Sequence, residues 1–101
     1  MAVAARDVAL VTGASSGIGF ELARLCAQSG MAVVMVADEP AIADRARELA
    51  AEGADVIAVE ADLATRAGVD ETLRLAPGPI RFLCANAGTG VGGAFIDQAF
   101  S

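Results

Sequence analysis

Four short apolar runs, each separated from the next by a stretch of helical periodicity, constrain this chain more than any other feature. Val8-Ala9-Leu10-Val11 and the run 32–37 are continuous and apolar, so they read as strands buried on both faces. Val56-Ile57-Ala58-Val59 and Ile80-Arg81-Phe82-Leu83-Cys84 read as the third and fourth strands. Between the first two, Ile18, Leu22, Leu25 and Cys26 make one helical stripe, with Glu21, Arg24 and Gln28 on the other side. Gly30 is placed to end that helix. Asp38-Glu39-Pro40 opens a second helix, with a carboxylate facing orphan N–H groups and Pro at the first helical position. Ile42, Ala46 and Leu49 are its inward stripe and Gly53 its stop. A third helix is expected over roughly 65–75, with Val69 and Leu73 one turn apart. Gly68 weakens it by about 1 kcal/mol relative to Ala, and Pro77-Gly78-Pro79 ends it.

Each helical stretch is long enough to serve as the crossover that parallel strands require. The expected architecture is an α/β parallel sheet built as β-α-β-α-β-α-β. Right-handed crossovers place the first two helices on one face and the third on the other, which gives strand order 3-2-1-4. One short helix then covers a whole face of four apolar strands, and the fourth strand is an open edge. The chain is therefore expected to be incomplete relative to a full doubly wound domain. No linker divides its 101 residues, which read as one partial domain. After Asn86, Gly88, Gly90, Gly92 and Gly93 read as a flexible loop over about 88–94, and Phe95, Ile96, Ala99 and Phe100 share one face of an incipient helix.

Seven basic residues against thirteen acidic ones leave a net charge of −6, which lacks the basic footprint of a nucleic-acid or anionic-membrane binder. All seven are Arg. Lys, His, Tyr and Trp are absent, which removes His-based triads, Lys Schiff bases, Tyr or Lys acid-base chemistry and His-ligated metals. No catalytic residue and no metal ligands are expected. Cys26 and Cys84 are not spaced as a CxxC pair, and each lies in an apolar stretch. They read as small buried hydrophobes in a reduced compartment. No apolar stretch reaches the ~18 residues of a membrane span, and the N-terminal pattern is not that of a leader, so the expected location is cytoplasmic.

Thr12-Gly13-Ala14-Ser15-Ser16-Gly17-Ile18-Gly19 lies between a strand and a helix. Gly13 permits a tight turn, Gly17 lets the backbone approach a ligand, and Gly19 lets helix and strand pack closely. The N–H groups at the positive end of the helix favour a pyrophosphate. Asp38 ends the second strand, 19 residues after Gly19. A carboxylate there accepts both hydroxyls of an adenosine ribose and repels a 2′-phosphate. No Arg or Lys within 12–20 offers that phosphate a cation. The expected ligand is NAD in preference to NADP. Other roles stay open: Asp38 as a cap of the second helix, Ser15 and Ser16 as caps of the first, and Glu21 with Arg24 as a solvated surface pair.

These residues resemble the short-chain dehydrogenases/reductases. TGASSGIG at 12–19 matches that family's TGxxxGxG at every fixed position. Asp62-Leu63, after the third strand, is similar to its adenine-contacting acidic-hydrophobic pair, and the resemblance implies Asp62 at the adenine amino group. Asn86-Ala87-Gly88 is similar to its NAG motif, in which Asn steadies the sheet and the backbone lines the adenosine site. Ala85 stands where the commoner form has another Asn, and the stretch from Asp62 to Asn86 is about a helical turn short. From the residues alone, Asp62 can instead cap the third helix and Asn86 can be a plain turn residue.

The resemblance implies a Rossmann-type NAD(P)-binding half of an oxidoreductase that moves a hydride between nicotinamide and a small carbonyl or alcohol substrate. The family's proton-donating Tyr, its Lys and its Ser belong to the second half of the fold, and this chain has no Tyr or Lys. The resemblance also implies self-association through later regions. The alternatives are a catalytically inactive nucleotide-binding module and a structural remnant.

Overall fold

The computed structural model describes residues 7–15 and 17–84. Ser16, Asn86, Ala87, Gly88, the glycine loop and the apolar residues after it lie outside the described residues. Seven elements alternate: β1 (Val8–Thr12), α1 (Gly17–Gln28), β2 (Ala32–Ala37), α2 (Ala41–Ala51), β3 (Val56–Glu60), α3 (Arg66–Leu75) and β4 (Ile80–Cys84). All pairings are parallel and the order is β3-β2-β1-β4, as crossover handedness requires.

Every residue of β1 and β2 is buried, because these two strands are flanked on both sides in the sheet and covered on both faces. Their side chains alternate between two cores. Ala9, Val11, Val33 and Met35 meet Phe20, Ala23 and Cys26 of α1 and Ile42, Ala46 and Leu49 of α2. Val8, Leu10, Val34 and Val36 meet Leu63 and Val69 on the face of α3. Two helices therefore cover one face and one helix the other.

The structure corrects the expected face of α1. Gly19, Phe20, Ala23 and Cys26 are buried, whereas Ile18 and Leu25 are 70% and 57% exposed and Leu22 is half-buried. The sequence carries two overlapping apolar stripes. The one with Gly and Ala in it wins because small residues let the helix settle close to the sheet around one large side chain, Phe20. The expected stripe of α2 holds as read. Both helices end in the same way. The Met31 N–H reaches Cys26 O and the Gly30 N–H reaches Ala27 O, while Ala54 reaches Leu49 and Gly53 reaches Ala50, with φ 91° at Gly30 and 94° at Gly53.

At the start of α2, Pro40 is the cap residue rather than the first helical one, and no side chain caps the helix. The capping role considered for Asp38 is not what the structure shows. On α3, Val69 is buried as expected, but Thr72 rather than Leu73 is the second fully buried side chain. Its hydroxyl donates to the Gly68 carbonyl at 2.8 Å, so the polar atom is satisfied within the helix and the methyl is left to pack.

Between Val8 and Ala9 the β1–β4 register shifts by one residue, with Val8 opposite Ile80 and Ala9 opposite Phe82. Arg81 is the extra residue. The bulge lets Ile80 join the α3 core while Cys84 packs on the α1–α2 core. Phe82, on an edge strand opposite Ala9, is 48% exposed. Cys26 and Cys84 are neighbouring free thiols, one buried and the other half-buried. Burial first, then the neighbouring thiol, pushes Cys26 up to about 11.

Glu21 and Arg24 are more than a solvated pair. Arg24 pairs with Glu21 and also forks onto Glu52 after α2, Nε to Oε1 and Nη2 to Oε2 both at 3.0 Å. Its guanidinium stands 4.9 Å from the Phe20 ring centre, and that of Arg45 stands 5.0 Å from it. The helices are thus clamped together over Phe20. Hydrogen bonds from Arg24 hold the Glu52 carboxyl below the usual carboxylate range. Among the described residues no helix is long and apolar enough to cross a membrane.

Candidate functional site

Because all four strands run parallel, their carboxyl ends lie along one edge of the sheet, and the turns after β1, β2 and β3 bring the candidate residues there. In a doubly wound sheet this edge is where ligands bind.

The turn after β1 is fixed by main-chain geometry. Gly13 has φ 60°, a conformation that costs a residue with a Cβ about 1–2 kcal/mol. The next residue, Ala14, is fully buried and its N–H donates to Val36 O at 3.2 Å, which ties the turn to β2. On the other side the Thr12 hydroxyl reaches the Cys84 carbonyl at 3.5 Å, tying the same turn to β4. The chain then enters α1 at Gly17, whose position is exposed and where an added Cβ would meet nothing within 4 Å among the described residues. Packing against the described residues therefore does not require glycine at 17, and they leave the space beside it open. Gly19 is buried against the sheet as expected, and Ile18 projects outward. No acidic side chain occupies the first turn of α1, so the helix itself places no carboxylate at its positive end. This combination fits an anionic group such as a pyrophosphate.

Asp38 follows the buried end of β2 and is exposed, with Glu39 beside it. The Ser15 hydroxyl donates to the Glu39 carboxylate, which links the first turn to the second. Asp62 is exposed after β3, and its neighbour Leu63 is buried in the α3 core. Asp62 Oδ1 accepts from the Ala64 N–H at 2.9 Å. Thr65, not Asp62, is the cap of α3, its hydroxyl accepting from the Gly68 N–H at 3.0 Å.

Gly13, Ser15, Gly17, Ile18, Gly19, Asp38, Asp62 and Leu63 thus belong to the turns of one edge, or to the first turn of the helix that follows one of them. Ser16, Asn86, Ala87 and Gly88 lie outside the described residues. Sequence reading named Thr12, Glu39, Thr65 and Gly68 but counted none of them among the site residues. The capping pattern Thr65-x-x-Gly68 gave no sign, because a cap is usually sought with an acidic residue three positions on. Among the described residues no group of Cys, Asp and Glu is arranged to hold a metal.

The family model for short chain dehydrogenase matches residues 7–100. A curated relative, 1-deoxy-11-beta-hydroxypentalenate dehydrogenase of Streptomyces avermitilis, is 49% identical over 87 residues, covering 81% of this chain and 32% of its own length. A short chain dehydrogenase/reductase from Burkholderia phymatum in complex with NAD superposes with TM-score 0.72 at 34% identity, over 77% of this chain and 29% of that one. L-sorbose reductase from Gluconobacter frateurii, complexed with NADPH and L-sorbose, gives TM-score 0.74 at 39% identity, over 84% and 34% of the two chains. The chain spans about a third of the length of these relatives. Glycine turn, strand order and the match over 7–100 agree, and the chain belongs to the short-chain dehydrogenase family.

Proposed function

We propose that these residues are the cofactor-binding half of an NAD(P)-dependent oxidoreductase that transfers a hydride between nicotinamide and a carbonyl or alcohol carbon, with NAD the preferred cofactor. The observation that carries the proposal is the space that the described residues leave at Gly17, beside the N-terminus of α1 and on the same sheet edge as Asp38.

Gly13 and the stapled Ala14 hold the turn in shape, and the N–H groups at the start of α1 receive the pyrophosphate. Ser15, Ser16, Ile18 and Gly19 of the same motif are the further cofactor contacts in this reading. Asp38 accepts the two adenosine ribose hydroxyls, and Asp62 with Leu63 borders the adenine. Asn86, Ala87 and Gly88, outside the described residues, are assigned to the adenosine by their motif alone. When bound, the nicotinamide supplies or takes the hydride. A proton must also move at the substrate oxygen, and with no Tyr, Lys or His these residues offer no general acid near neutral pH. They bind and orient, and the substrate is set elsewhere in the protein.

Solved neighbours hold NAD in one case and NADPH in another. The preference for NAD here rests on Asp38, supported by the second carboxylate at Glu39 and by the absence of Arg and Lys from 12–20. Replacing Asp38 by Ala in the full-length protein should narrow the ratio of NAD to NADP affinity by roughly tenfold, the scale of a lost charged hydrogen bond. An unchanged ratio refutes the assignment of Asp38.

A further inference from the structure

Gly68 sits inside α3, where glycine weakens a helix, and the structure shows what keeps a side chain out. A Cβ at Gly68 would lie 2.0 Å from the carbonyl oxygen of Asp62 and 2.7 Å from its carbonyl carbon. Both are main-chain atoms, so neither can swing aside. The same carbonyl accepts from the Thr65 N–H at 3.1 Å and from the Thr65 hydroxyl at 2.8 Å. That hydroxyl in turn accepts from the Gly68 N–H at 3.0 Å. Glycine at 68 and threonine at 65 thus form one lock on the Asp62 peptide.

The lock has no slack on either side. Val69 and Thr72 bury α3 against the sheet, and Leu63 is buried in the same core as Val69. Just before Asp62, the Ala61 N–H is bonded to Ala37 O at 3.0 Å. Within the turn, Ala64 engages only Oδ1 of the Asp62 carboxylate. Among the described residues no hydrogen bond engages its other oxygen, on an exposed side chain at the sheet edge that the glycine turn shares.

We propose that Gly68 and Thr65 are positioning residues, which aim the second carboxylate oxygen of Asp62 at the 6-amino group of the cofactor's adenine; this rests on the NAD-binding reading above. A carboxylate oxygen only accepts and an amino group donates, so the pair discriminates adenine from a base with a carbonyl at that place. Nothing else about the dinucleotide needs to change for the contact to be lost.

The test compares NAD with nicotinamide hypoxanthine dinucleotide, which carries a carbonyl in place of the amino group, by calorimetric titration of the full-length protein. The wild type should bind NAD more tightly. Thr65→Val, nearly isosteric but without the hydroxyl, should lower NAD affinity by roughly fivefold, the scale of one hydrogen bond, and leave the hypoxanthine analogue within about twofold. Thr65→Ser should restore the wild-type ratio. Gly68→Ala should act in the same direction and more strongly; where that variant does not fold, Thr65→Val decides. Parallel weakening of both dinucleotides means that the lock holds only the fold, and it overturns the inference, as does a ratio unchanged by Thr65→Val. A wild type that binds NAD without preferring it over the analogue overturns it too, with the failure at Asp62. A wild type that binds neither removes the cofactor reading itself, and the inference with it.

Discussion

The turn after β1 and the turn after β3 reach the same edge of the sheet, and opposite means hold them. The first is shaped by main chain: Gly13 at φ 60°, Ala14 bonded to Val36, and open space at Gly17. In the second, the Asp62 carbonyl is gripped by the Thr65 hydroxyl and pressed by the α3 backbone at Gly68. A glycine therefore means different things in the two places. At 17 the described residues leave the space beside it open, and at 68 the glycine leaves room for the Asp62 main chain.

Swapping in one methyl group at each place should break this comparison if it is wrong. Gly68→Ala forces main-chain atoms apart and should cost about 1–3 kcal/mol of stability, the range of an overpacked core. Gly17→Ala meets no atom of the described residues, so stability should stay within about 0.5 kcal/mol, while NAD affinity falls by tenfold or more as the methyl occupies the approach. Chemical denaturation and NAD titration of both variants check this. Equal stability losses, or a Gly17→Ala protein that binds NAD normally, would end the distinction.

A smaller effect concerns what lies beneath the first turn. Cys26 of α1 faces Cys84, whose carbonyl receives the Thr12 hydroxyl. The thiol titrates near 11 when folded against an ordinary 9.0, so the unfolded chain loses its proton first as pH rises. Stability from this group is present below pH 9 and declines between 9 and 11. Cys26→Ala should flatten the alkaline fall in melting temperature across that window, and an unaltered profile contradicts the buried-thiol assignment.

The smallest effect is at the Arg24–Glu52 clamp, remote from both turns. The Glu52 pKa is lowered on folding, so its contribution is present above the ordinary carboxylate pKa and is lost as pH falls. The pair is exposed and screened by solvent. Glu52→Gln should lower the melting temperature slightly at neutral pH, lose that difference in acid, and leave NAD affinity unchanged. A change in NAD affinity would show that the helix pair and the site are coupled.

How much of this was legible in the sequence follows the same division. Continuous apolar runs gave all four strands because β1 and β2 are buried on both faces, and crossover handedness gave the order. The first turn was legible because a main-chain-held loop needs glycines at fixed spacing, which is itself a pattern. Three features were not. The inward face of α1 went to the stripe of Gly19, Phe20 and Ala23, since closeness to the sheet outweighed the larger Ile18 and Leu25. The bulge at Arg81 leaves no local signature, as it reflects which core Ile80 and Cys84 each join. Gly68 read as a weakness of α3 because its partner is the carbonyl of Asp62, a contact that composition and periodicity do not encode.

The most direct measurement is a pair of calorimetric titrations, NAD and NADP against the full-length wild-type protein at one ionic strength. The account predicts that both bind and that NAD binds more tightly, as expected for an open glycine turn next to the Asp38 carboxylate. Tighter binding of NADP would contradict the role of Asp38, and no binding of either would contradict the assignment of this sheet edge as a dinucleotide site.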